Sequence, residues 1–102
     1  MTVCFSTAAG VELFPLPWVA GTRSVAYFGV VTTERAIARS LLARQAVLEA
    51  EEDALLDALG QCSAELGGNA VVGVEVEADP FGEDGRLRLR AFGTAAKLEP
   101  LL

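Results

Sequence analysis

Glu75, Glu77 and Asp79 alternate with Val74, Val76 and Ala78, so an extended chain would set three carboxylates on one side of a strand. Oxygen donors of that kind suit a hard cation. A second run, Arg86-Leu87-Arg88-Leu89-Arg90, alternates in the same way beyond a turn-rich segment from Pro80 to Gly85. Folded as an antiparallel hairpin about the loop centre, the two runs set Asp79 opposite Arg86, Glu77 opposite Arg88 and Glu75 opposite Arg90. On the reverse face Val76 meets Leu89 and Val74 meets Ala91. Arginines so placed neutralise the acids, and an ion-pair ladder is the stronger reading of the pattern. A one-residue slip would bury the charges, so apolar and ionic patterns specify the register together.

Soft metals fare no better. The chain has no histidine, and its two cysteines, Cys4 and Cys62, are far apart in sequence. Cys62 falls on an apolar helical stripe, where a thiol behaves as a small hydrophobe. The weak metal candidates are therefore Glu75, Glu77, Asp79 and Cys62, and no metal site is assigned. Glu83 and Asp84 lie in a turn, where acids are ordinary. No Ser, Thr, Cys, Tyr, Lys or carboxylate has a catalytic partner at a readable spacing, so the sequence points to a non-enzymatic protein without a cofactor. Gly67-Gly68-Asn69 could form a backbone anion nest, but a helix C-cap explains these residues better.

What remains is association. The chain is 52% apolar before its ten glycines are counted, against roughly 45–50% with glycine included in an average domain. A body of 102 residues buries only about two-thirds of its unfolded surface, and self-association is the simplest way to hide the surplus. The candidate contact residues are Phe14, Leu16, Trp18 and Tyr27. Phe14, Leu16 and Trp18 belong to an apolar segment broken by Pro15 and Pro17, which packs either over its own core or against a partner. A net charge of −6 opposes nucleic acid. No run reaches the ~18 apolar residues of a membrane span. The N-terminus lacks a basic signal-peptide region, and two cysteines are too few for a disulfide framework, so a cytoplasmic setting is expected.

The elements that must position these residues make one domain, 1–102, with 1–22 as a poorly defined N-terminal extension. Thr2–Thr7 has the character of a short strand, and 11–19 that of an extended edge or loop. Arg23–Val31 is apolar on both faces and reads as a central strand, with Gly29 marking a bulge or close approach. Thr32-Thr33-Glu34 reads as a helix start. Leu41, Leu48, Leu55 and Cys62 then recur every seven residues, as do Leu59 and Leu66, with Ile37 and Leu42 on the flank. Glu49, Glu51, Glu52 and Asp53 form the solvated side. Unbroken from 33 to 66, that helix would be about 50 Å long. Either it breaks near Ser40–Arg44 or Gly60, or neighbouring subunits support it. Gly67-Gly68 stops it. Val72, Val74 and Val76 share one face of the strand that follows. The fold class is α+β, with an antiparallel sheet of about four strands, in the order β-β-α-β-β, packed on one long helix.

Glu65-Leu66-Gly67-Gly68-Asn69-Ala70-Val71-Val72-Gly73-Val74 resembles the "ELGANAVVGV" motif of the YbjQ-like family. Two shorter pieces agree: Val25–Val31 with "VEYLGIV" and Ala91–Ala95 with "ASGTAV". The match runs in order over roughly 22–98. The resemblance implies a dodecin-like α+β subunit that forms a ring, as a homopentamer or a dimer of pentamers. Together with the apolar surplus it motivates a scaffold or partner-binding role. The family also carries a heavy-metal-binding label without an established activity, so a ligand or metal site between subunits is the alternative. The family's Gly-rich segment before the main helix has no counterpart here. The N-terminal stretch is longer, and carries Pro15, Pro17 and Trp18.

Overall fold

The computed structural model describes residues 5–7, 9–38, 45–79 and 85–101. The elements are β1 (Phe5–Ser6), β2 (Glu12–Leu13), β3 (Thr22–Ala38), α1 (Gln45–Glu65), β4 (Ala70–Asp79) and β5 (Arg86–Pro100). They form one sheet in the order β1-β2-β4-β5-β3, with α1 against one face. The α+β class holds, but the sheet is mixed: β2 runs parallel to β4, while the other pairings are antiparallel. The parallel pair was illegible because β2 is two residues long and is followed at once by the proline segment.

The long strand was misplaced in both length and position. Arg23–Val31 is not a covered central strand. It belongs to the 17-residue β3, which among the described residues pairs only with β5 and lies at the end of the sheet. Thr32-Thr33-Glu34 does not begin a helix either. Thr32 pairs with Phe92, Thr33 with Ala91 and Glu34 with Arg90, so fifteen residues of β5 hold this segment extended. A Thr-Thr-acid sequence suits a strand as well as a cap, because threonine is β-branched. Tertiary pairing decides between them. Gly29 does mark a bulge: the β3–β5 register shifts between Tyr27 and Gly29, where Gly29 has φ 106°.

α1 is correspondingly shorter, 21 residues and about 32 Å. Leu55, Leu59 and Ser63, four apart, are fully buried, and Leu48, Leu56 and Cys62 pack around them. Across the interface stand Val31 and Ile37 from β3, Val71 from β4, and Leu89, Ala91 and Ala95 from β5. Ile37 therefore meets the helical stripe from the sheet. Leu66 lies beyond the helix and is exposed. Leu41, Leu42 and the expected break at 40–44 lie outside the described residues. Thr33 Oγ1 donates to the Leu55 carbonyl at 3.0 Å, tying the edge strand to the helix.

The helix ends where expected. Gly68 N–H donates to the Ser63 carbonyl at 2.9 Å and Gly67 N–H to the Ala64 carbonyl at 3.0 Å, with Gly67 at φ 94°. This is a Schellman cap, which satisfies carbonyls that the last turn would otherwise leave open. Gly68 is required for a different reason. A Cβ there would sit 2.9 Å from the Ala96 carbonyl and collide with the Ser63 hydroxyl. That hydroxyl, fully buried, donates to Ala70 O at 2.9 Å, so the cap and the start of β4 are locked together.

Candidate functional site: an apolar edge and a charged ladder

The acid–arginine hairpin exists in a register displaced from the expected one. Glu77 faces Arg90, Asp79 faces Arg88 and Glu75 faces Phe92, while Val76 faces Ala91 and Ala78 faces Leu89. The displacement of these rungs is two residues, so Glu75–Asp79, Arg88 and Arg90 stay on their expected faces. Two features produce it. The hairpin is lopsided, with Arg86 and Leu87 paired to Ala38 and Ile37 of β3 and not to β4. A bulge between Val72 and Glu75, with Gly73 at φ 65°, also shifts the earlier pairs by one. That bulge separates the valines. Val72 packs with Phe14 and Ala70 on the face away from the helix, while Val74 packs with the helix-side core.

β5 lies between the acids of β4 and Glu34 of β3, so Arg90 has Glu77 in register on one side and Glu34 on the other. Arg88 Nη1 stands 3.9 Å from Glu34 Oε1. On the helix side, Arg35 donates to the Glu51 carboxylate. That hydrogen bond and the charge of Glu51 hold the guanidinium above its ordinary pKa. Arg23 pairs with Glu99 at 3.0 Å at the other end of β3. These are solvated pairs, worth little individually. Among the described residues no three His, Cys, Asp or Glu side chains converge to hold a metal ion. Cys62 is half-buried beside the helix-side core as a free thiol. Cys4, Glu83 and Asp84 lie outside the described residues.

The four candidate contact residues separate into two groups. Phe14 is 7% exposed and belongs to a second small core with Ala70, Val72, Val19 and Leu98, on the sheet face opposite α1. The proline segment thus covers part of its own sheet. Main-chain bonds hold it there: Phe14 N–H donates to Val71 O at 2.9 Å, Val74 N–H to Phe14 O at 3.0 Å and Gly73 N–H to Leu16 O at 2.8 Å. Leu16, Trp18 and Tyr27, by contrast, are exposed, Trp18 by 65% and Tyr27 by 61%.

Sequence reasoning missed Tyr27's neighbours. Val25, Phe28 and Val30 are also exposed, Val30 by 72%. Tyr27 and Val30 lie opposite Ala96 and Thr94, while Phe28 reaches the helix C-terminus at Gly67, so apolar groups flank both faces of this edge. Among the described residues no strand pairs with the other side of β3. The signal that could have found this edge is length: β5 has fifteen residues and β4 ten, so one partner of β5 had to extend past the helix.

A shallow cleft of about 280 Å³ lies beside the second core, lined by Glu12, Phe14, Thr22, Asn69, Leu98 and Glu99 among others. Its lining mixes apolar side chains with two acidic residues, Glu12 and Glu99. Glu99 is engaged by Arg23. Among the described residues no helix is long and apolar enough to cross a membrane.

No family model matches the chain. Its fold is similar to the crystal structure of a protein of unknown function from Pediococcus pentosaceus ATCC 25745 that belongs to the DUF74 family. The superposition covers 88% of this chain and 99% of that one with a TM-score of 0.68, at 16% sequence identity. DUF74 is the YbjQ-like family, and at 16% identity the likeness to this member is one of fold alone.

Proposed function

We propose that this chain is a YbjQ-like subunit that assembles with copies of itself into a closed ring, and that the ring acts as a scaffold or partner-binding module and not as an enzyme. The observation that carries this reading is the run Val25–Val30, with Val25, Tyr27, Phe28 and Val30 all exposed on a strand whose outer edge pairs with no other strand among the described residues. Isolated domains blunt such edges with charge, proline or a covering element. Between Ser24 and Thr33 this edge has no charged residue and no proline. The fold-level likeness to a DUF74 protein and the motif at Glu65–Val74 support the family reading independently. Size-exclusion chromatography with light scattering tests it. A mass of several subunits at micromolar concentration is expected, and a stable monomer would remove the proposal.

The cleft at Glu12 and Asn69 favours a second reading, a binder of a small ligand. A thermal-shift screen over metals, flavins and nucleotides separates the two. A saturable rise for one compound supports the second reading, and uniformly flat responses count against it.

A further inference from the structure

The cleft beside the second core is built at one end of the sheet, where β2, the start of β4 and the end of β5 meet. Leu13 belongs to the helix-side core and Phe14 to the second core. Alternation therefore puts the Glu12 side chain on the Phe14 side of the sheet, toward the cleft. On β5 the same alternation turns Glu99 away from Leu98, and Arg23 holds its carboxylate. Only one of the two acids is thus uncommitted. Among the described residues no Lys or Arg pairs with the Glu12 carboxylate.

The remaining polar groups decide what can meet that carboxylate. Main-chain N–H groups along the cleft are spent inside the protein: Gly10 on Thr7 O, Glu12 on Asn69 O, Phe14 on Val71 O and Leu98 on Asn69 Oδ1. Thr22 donates its hydroxyl proton to Val19 O at 2.8 Å, which leaves its oxygen able only to accept. Among the described residues no Lys or Arg lines the cleft, so an anion would find no counter-charge. A metal ion is poorly served too, since Zn²⁺ takes about four ligands and Ca²⁺ about six to eight, against one free carboxylate. A volume of about 280 Å³ lies just below the roughly 300–1,000 Å³ usual for drug-sized ligands, so the occupant is small.

We infer that the cleft takes a small organic cation, an ammonium or guanidinium on a short apolar body. Glu12 supplies the counter-charge, Thr22 Oγ1 a further acceptor, and Phe14, Leu98 and Pro100 the contact for the body. An organic cation asks for one carboxylate and an apolar wall, which is what the cleft offers. The net charge of −6 adds a field that draws cations to the protein. This rests on the ligand-binding reading of the cleft and names the ligand's class.

The test is calorimetric titration of the full chain with three probes of one shape: benzylamine, which is protonated at neutral pH, neutral benzyl alcohol, and benzoate. Benzylamine is expected to bind saturably, benzyl alcohol about fivefold more weakly, and benzoate not at all. E12Q should weaken benzylamine about fivefold and leave benzyl alcohol unchanged. E77Q removes an equal charge from the exposed ladder, outside the cleft, and should leave both unchanged. Circular dichroism confirms that the two variants remain folded. Benzyl alcohol or benzoate binding as tightly as benzylamine would overturn the inference while leaving the cleft a ligand site. Equal losses in E12Q and E77Q would overturn it as well, by showing diffuse attraction to an acidic protein. Silence from all three probes would overturn it too, and silence joined to a flat thermal-shift screen would remove the ligand-binding reading with it.

Discussion

The side-chain amide of Asn69 grips the main chain of Leu98 from both sides: Nδ2 donates to the Leu98 carbonyl at 2.9 Å, and the Leu98 N–H donates to Oδ1 at 2.8 Å. The residue just past the helix cap thereby fixes β5 against the start of β4. Asn69 N–H adds a bond to Ala96 O at 3.0 Å, and its carbonyl receives Glu12 N–H at 3.2 Å. The glycine–asparagine motif that could have been an anion nest is instead a structural junction of helix, β2, β4 and β5.

Asn69→Ala should therefore destabilise the fold without touching any exposed apolar residue. Two side-chain bonds at a partly solvated site are worth about 1–2 kcal/mol together. Urea denaturation at fixed protein concentration should show a lower midpoint with an unchanged slope. An unchanged midpoint would show the junction to be redundant.

Gly67 and Gly68 should fail for different reasons. Gly67→Ala meets only the left-handed φ, a cost of about 1 kcal/mol. Gly68→Ala drives a methyl group against Ala96 O and the Ser63 hydroxyl, and should cost about 1–3 kcal/mol. Ser63→Ala alone loses its buried bond to Ala70 O, so the test is a cycle: Gly68→Ala should cost less in a Ser63→Ala background than in the unmodified chain. Equal costs of Gly68→Ala in the two backgrounds would refute the clash with the hydroxyl.

Phe14 and Trp18 share one segment but should behave oppositely. Phe14→Ala empties the second core and should cost about 3–5 kcal/mol. Trp18→Ala removes a side chain that the folded subunit leaves exposed. Within a single subunit its effect should stay within about 0.5 kcal/mol. Denaturation of both variants at protein concentrations low enough for the subunit to be monomeric makes the comparison without the contribution of assembly.

Glu77→Gln should change little. Glu77 stands opposite Arg90 in register on an exposed stretch, where an ion pair contributes about 0–1 kcal/mol. Calorimetry with Zn²⁺ or Ca²⁺ before and after the substitution gives the complementary check. Binding heat that vanishes with Glu77→Gln would restore the acids as metal ligands.

These particulars show what was legible in the chain. Gly67-Gly68 announced its cap because the left-handed turn and the close approach leave few other residues, and Leu55 and Leu59 announced the helix face by their spacing. The acids and arginines found the right face but the wrong rungs. Alternation fixes parity, whereas the bulge at Gly73 and the lopsided loop set the absolute register. Thr32-Thr33-Glu34 misled because local propensity there suits two structures, and the choice is made by β5, more than fifty residues away. Of the candidate contact residues, Leu16, Trp18 and Tyr27 are exposed. Phe14 was not separable from them, since only the fold shows which aromatic the proline segment turns inward.

The claim underneath the rest is that the bare apolar edge of β3 is covered by another copy of the chain. Sedimentation velocity of the unmodified protein at micromolar concentration measures this directly. The account predicts one species at an integral multiple, well above two, of the 10.7 kDa subunit. A single species at 10.7 kDa across that range would contradict it.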